Sequence, residues 1–190
     1  MYKGKTAKLI QVVIIAALYV LITVVENSTV GMTKDIIQVR VSEALTILPY
    51  FTPAAIPGLF IGCLASNYLV GCHMMDVIFG SCATLIGAVG TYMLRKRKFL
   101  TPIPPIIVNM IVIPMLFTYV YRYEDGSFWY YVATIGIGEA ISCGVLGIAL
   151  MLGLEDHRDK LFPSDSDPKE NTKETAAAED NKTGERETNV

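Results

Sequence analysis

Four apolar runs, Leu9 to Val25, Val77 to Leu94, Ile103 to Val120 and Val132 to Leu154, dominate the chain up to Leu154. Each approaches the roughly 20 residues that a helix needs to cross the core of a bilayer. Among them only the last holds a charged residue, Glu139, so none offers the polar face that a surface helix of a soluble protein requires. A water-soluble domain of this size could not cover several such helices. The runs specify an all-α, polytopic membrane protein.

Charge divides the chain near Leu154. Residues 1–154 carry 10 Lys and Arg against 7 Asp and Glu, whereas 155–190 carry 6 against 11. The first part reads as a membrane domain. The second, "SDSDPKENTKETAAAEDNKTGERETNV" in its greater part, has almost no apolar residues with which to offset the entropy of ordering, and is expected to be a disordered acidic cytoplasmic tail. Its sign argues against a polybasic membrane anchor. Lys3, Lys5 and Lys8 precede the first run as in a signal peptide, but no small-x-small cleavage site follows Leu18 to Val25. That run is expected to remain as a span.

Positive charge near span ends favours the cytoplasm, which puts the N-terminal lysines and the cluster Arg95, Lys96, Arg97, Lys98 on one side. An even number of crossings must then separate them. Pro49, Pro53 and Pro57 favour a break near Tyr50 to Pro53, giving two short helices, Val41 to Leu48 and Ala54 to Val70, the first too short to span unaided. Two spans after the basic loop complete a six-transmembrane-helix bundle with both termini cytoplasmic. Tyr119, Tyr121, Tyr123, Trp129, Tyr130 and Tyr131 flank "RYEDGS" as an outer interfacial belt would. Small residues recur at helical spacing at Gly58, Gly62 and Ser66, at Gly80, Ala83 and Gly87, and at Gly136, Ala140 and Gly144, a pattern that permits close helix approach in lipid.

Two acids, Glu43 and Glu139, stand well inside apolar sequence, and an ionisable group there needs a cavity or a partner. Glu139 is twelve residues beyond Ser127, about 18 Å along a helix and so near mid-membrane. Asn109 should reach nearly the same depth on the neighbouring span, with Pro114 bending that helix just beyond it. Asn67 either bridges helices or lines the same space. Arg40 and Glu43, at i and i+3, can pair with each other, or with Gln38 they can form a polar rim for a planar hydrogen-bonding ligand. Asp76 is expected to cap the fourth span, and His73 to lie at the interface. Cys63, Cys72, Cys82 and Cys143 have no CxxC spacing, so no metal or disulfide framework is implied. Gly4-Lys5-Thr6 lacks the earlier glycine of a phosphate-binding loop, and no GxSxG or HExxH follows. The chain is read as neither an ATPase nor a hydrolase, with no cofactor and no nucleic-acid partner.

"QVRVSEALTILPYFTPAAIPGLFIGCLASN" closely resembles the signature of the QueT family of queuosine-precursor transporters, substrate-binding S components of energy-coupling factor (ECF) transporters. "DVIFGSCATLIGAVGTYMLRK", "PIPPIIVNMIVIP" and "IGEAISCGVLGIALMLGLE" fit in the same order, so that the likeness covers about residues 8 to 155. The resemblance implies six helices, an outward-opening site and a lid loop, here "ENSTVGMTKDIIQ". It also implies partners, a transmembrane coupling protein and two ATPase subunits, and a 7-deazaguanine ligand. Its substrate-binding residues would be Gln38, Arg40, Glu43, Asn67, Asn109 and Glu139, with Arg40 and Glu43 at the mouth and Asn109 and Glu139 at the floor. The AxxxA docking pattern common on the first helix of S components is missing, since Ala17 is flanked by Val13 and Leu21, and Ala16 by Val12 and Val20. Two other readings stay open: a scaffold whose acids lock helices together, and a proton-coupled carrier relaying through Glu43 and Glu139.

Overall fold

A computed structural model describes residues 2–29, 39–122 and 127–161; of the lid expected from Glu26 to Gln38 the first four residues are the end of a helix, and residues 30–38, 123–126 and those beyond 161 lie outside the described residues. Among those described, all regular structure is helical. Helix α1 runs Tyr2–Thr29. A 3-10 helix, Val41–Tyr50, is followed by α2, Ala55–Leu69. A π turn, Asp76–Gly80, leads into α3, Ser81–Met93, and α4, Ile103–Met115, ends in a second π turn, Leu116–Val120. The last long helix is continuous through α5, Phe128–Glu139, a π turn over Ala140–Leu146, and α6, Gly147–Glu155, with the single turn α7, Arg158–Leu161, beyond it. Four helices, Thr6–Thr29, Asp76–Met93, Lys98–Val120 and Phe128–Glu155, are long and apolar enough to cross a membrane. The chain is a multi-pass membrane protein.

The break expected near Tyr50 to Pro53 is present, with Phe51 to Ala54 between the two shorter helices. What differs is the winding. Val41–Tyr50 is a 10-residue 3-10 helix, long for a winding that seldom exceeds three or four residues. At about 2 Å per residue it extends roughly 20 Å, against about 15 Å as an α-helix. Every residue from Ser42 to Pro49 is buried, so this segment forms the middle of the bundle, touching α1, α2, α3, α6 and the π turn Ala140–Leu146.

The small residues of α2 do pack closely. A Cβ on Gly62 would lie 2.8 Å from Tyr19 Cβ, and one on Gly58 would lie 3.0 Å from the Val12 carbonyl. Gly87 and Gly90 likewise admit Pro105 and Pro104 at the crossing of α3 and α4. The third stripe does not behave as its spacing predicts: Gly136 meets Met110, but Ala140 is exposed and Gly144 is only half-buried. For Gly144 the cause is the π turn that begins at Ala140, because i→i+5 winding rotates later residues away from a 3.6-residue register. Pro114 stands just before the π turn of the preceding span.

Side-chain contacts tie corresponding helix ends together. Gln11 accepts from Thr52 Oγ1 at 3.0 Å and donates to the Leu161 carbonyl at 3.4 Å, while Lys98 pairs with Glu155. At the other end, Glu26 at the close of α1 accepts from Val41 N at 2.9 Å, and the His73 ring packs edge-on to Tyr121 with centroids 5.0 Å apart. His73 Nδ1 also accepts from Met75 N at 3.4 Å; Met75 is the N-cap of the following turn and no side chain caps it, so Asp76, one residue inside, does not cap its helix as expected.

Candidate functional site

The 3-10 helix presents Glu43 to the centre of the bundle because its N-terminal end is pinned. Arg40 N donates to Ser142 Oγ at 3.0 Å, Val41 N to Glu26, and Thr46 Oγ1 donates to the Glu43 carbonyl at 2.6 Å. These contacts satisfy backbone groups that a short buried helix would otherwise leave without partners. Glu43 is 1% exposed, and its Oε1 accepts from the hydroxyl of Tyr19, which is 0% exposed, at 2.5 Å. That length suits an O–H bond to a carboxylate.

On the facing helices, Asn109 Nδ2 donates to Glu139 Oε1 at 2.9 Å, and the Cys143 thiol donates to Glu139 Oε2 at 3.2 Å. Asn109 and Glu139 are 6% and 7% exposed, and their pairing confirms the common depth expected from helix rise alone. A carboxylate oxygen of Glu43, one of Glu139 and Cys143 Sγ all lie within 4.8 Å of one another. Glu43 is therefore deep beside Glu139, and the division into a mouth with Glu43 and a floor with Glu139 does not describe it.

Arg40 does not pair with Glu43. Its Nη2 donates to Asn67 Oδ1 at 3.0 Å. Asn67 is fixed by the end of α2, where Gly71 takes φ 77° and the Gly71 and Cys72 amides return to the carbonyls of Tyr68 and Asn67 at 3.2 and 2.9 Å. This is a Schellman cap, which needs a residue tolerant of positive φ at that point. Four of the expected residues, Arg40, Glu43, Asn109 and Glu139, thus meet around one cluster, Asn67 joins through Arg40, and Gln38 lies outside the described residues.

Among the described residues, several buried polar atoms of the cluster have no partner: Glu43 Oε2, Arg40 Nε and Ser42 Oγ. A buried group of this kind costs roughly 1–3 kcal/mol, more when charged, unless something binds it. One acceptor and one cationic donor are available to a guest.

The family model described as QueT transporter matches residues 9–156. The chain belongs to the QueT transporter family. A curated relative from Lactococcus lactis subsp. cremoris (strain MG1363), named "Queuosine precursor transporter QueT", is 37% identical over 86 residues, 45% of this chain and 50% of the relative. The match spans about half the length of that relative. No solved structure matches. The four sequence blocks that resemble the QueT family fall within the matched range.

In this QueT family member, Tyr19, Thr46 and Cys143 also belong to the polar cluster, and the sequence does not single them out as site residues. Tyr19 carried the clearest signal, since a hydroxyl in mid-run needs a partner when buried. Thr46 and Cys143 look like ordinary small packing groups until the 3-10 helix and the π turn are seen side by side.

Proposed function

We propose that this chain is the substrate-binding S component of an ECF transporter, importing a queuosine precursor of the 7-deazaguanine class while partner subunits hydrolyse ATP. Family membership and the relative's name support transport of such a precursor. The carrying observation is the pair of buried carboxylates with Glu43 Oε2 and Arg40 Nε unpartnered. A deazaguanine offers N1–H and an exocyclic amine to two acid oxygens, and a ring carbonyl to a guanidinium. Glu43 and Glu139 take the donors, Arg40 takes the carbonyl, and Asn67 and Asn109 hold Arg40 and Glu139 in place.

In this reading the membrane domain crosses six times, counting the 3-10 helix and α2 as a pair of short crossings, with both termini in the cytoplasm. The segment from Val30 to Gln38 would close over the site. The coupling protein would meet α1, whose exposed face includes Val13, Ile14, Ala17, Leu18 and Leu21, while Ala16 is occupied against Gly62.

Calorimetric titration of the purified chain with a panel of 7-deazaguanines tests the reading, with Glu139→Gln as the diagnostic variant. Gln can still accept from Asn109 but turns a donor toward the ligand's own donors. A loss of about 2–4 kcal/mol is expected, because a charged acceptor is removed and an unpaired donor remains. That weakens binding roughly 30- to 1000-fold. Unchanged affinity in a well-folded variant would remove Glu139 from the site, and no binding of any deazaguanine to the wild type would refute the substrate class. Loss of stability in the variant alongside an equal loss of affinity would favour the scaffold reading.

A further inference from the structure

Glu43, Glu139 and Cys143 come from the 3-10 helix and from either side of the start of the π turn, and they converge on one point. We propose that these three residues form a binding site for a borderline-soft divalent cation of the Zn2+ class, whose occupancy excludes the transported base. Glu139 Oε2 and Cys143 Sγ are already 3.2 Å apart. Ligand atoms around a tetrahedral Zn2+ with bonds of about 2.0–2.3 Å stand roughly 3.3–3.8 Å from one another. With all three ligand atoms within 4.8 Å of one another, closing the cluster takes at most about 1–1.5 Å of side-chain motion.

Each of the three ligands has a second hydrogen-bonding partner besides the proposed metal, as protein metal sites require. Tyr19 holds Glu43 Oε1, Asn109 holds Glu139 Oε1, and Thr46 Oγ1 lies 3.4 Å from Cys143 Sγ, where its hydroxyl can turn to a thiolate. Glu43 Oε2, buried and without a partner among the described residues, is the independent observation that points to a ligand here. The cation replaces the thiol proton, which leaves to solvent, and thereby frees Glu139 Oε2 from its S–H bond. Two carboxylates and a thiolate then face one divalent cation and the Arg40 guanidinium, so the buried charges cancel. Three protein ligands with one thiolate favour four-coordinate Zn2+ or Cd2+ over Ca2+ or Mg2+, which need six or more oxygens or near-ideal octahedra.

The test uses the full chain in detergent micelles with the more accessible Cys72 and Cys82 replaced by Ser, titrated with Cd2+ and no purine. One equivalent should produce the ultraviolet thiolate-to-cadmium charge-transfer band, and Zn2+ should abolish it by competition. Cys143→Ser in that background should remove the band, while Tyr19→Phe, which keeps all three ligands, should weaken Cd2+ binding about 10- to 100-fold. A band that survives Cys143→Ser, no band in the parent protein, or an unchanged affinity in Tyr19→Phe would overturn the site. Because these readings need no base, failure here leaves the deazaguanine reading intact; the exclusion of one occupant by the other rests on that reading and is checked by calorimetry of a deazaguanine with and without saturating Zn2+.

Discussion

Tyr19→Phe removes one oxygen and leaves the ring in place, so it isolates the bond to Glu43. Glu43 Oε2 already lacks a partner, and without the Tyr19 hydroxyl both oxygens of a carboxylate that is 1% exposed lose their donors. A hydrogen bond to a charged group contributes about 1.5–3 kcal/mol, and orphaning a buried charge puts the effect in the upper part of that range, about 2–3 kcal/mol. For a chain of this length that lowers the melting temperature by about 5–10 °C. The pair can be separated from general packing by a double-mutant cycle with Glu43→Gln, followed by thermal unfolding in detergent. Against the neutral amide, Tyr19→Phe should cost only about 1 kcal/mol, giving a coupling of about 1–2 kcal/mol. Effects that add to within about 0.5 kcal/mol would show that Tyr19 and Glu43 act independently, and the cluster as described would be refuted.

Gly90→Ala places a methyl 2.4 Å from Pro104 Cβ, a rigid ring atom, and should destabilise by about 1–3 kcal/mol, whereas Gly153→Ala meets nothing within 4 Å and should be neutral or slightly stabilising; equal melting temperatures would contradict the α3–α4 crossing. Lys98→Ala breaks the pair with Glu155, but the two side chains are 29% and 38% exposed, so less than about 1 kcal/mol should be lost, and a larger drop would point to a role beyond the ion pair. Asp125→Cys, in a background without the native cysteines, should react with an impermeant thiol reagent on intact cells, and reaction only after the cells are opened would overturn the proposed orientation.

The long helices were legible because hydropathy over many residues outweighs any local preference, and the observed bounds fall within a few residues of the apolar runs. The depth shared by Asn109 and Glu139 was legible for a different reason: rise per residue is nearly independent of side chains. Of the two arrangements open for Arg40 and Glu43, mutual pairing is not the one formed, because i,i+3 spacing states only what two side chains can reach. In the structure each has a better neighbour, Asn67 and Tyr19, supplied by helices that adjacency in sequence cannot reveal. Winding was not legible either. Nothing in "VSEALTILPY" or "AISCGVL" marks a 3-10 helix or a π turn, and both arise where the segments pack against each other.

Those two irregular windings explain why the acids can be buried at all. The π turn begins directly after Glu139, and Ser142 and Cys143 are buried with it while Ala140 and Ile141 face outward. Ser142 then anchors Arg40, and Cys143 bonds Glu139 while lying 3.5 Å from the Glu43 carbonyl. The donors that hold the two carboxylates come from separate helices, Tyr19 from α1, Asn109 from α4 and Cys143 from the π turn. Loosening any of these helices would strand an acid without its donor in a low-dielectric interior, which is far more costly than losing a neutral contact. Site and bundle are therefore mutually dependent, and a variant in this cluster informs on binding only when its unfolding is measured on the same sample.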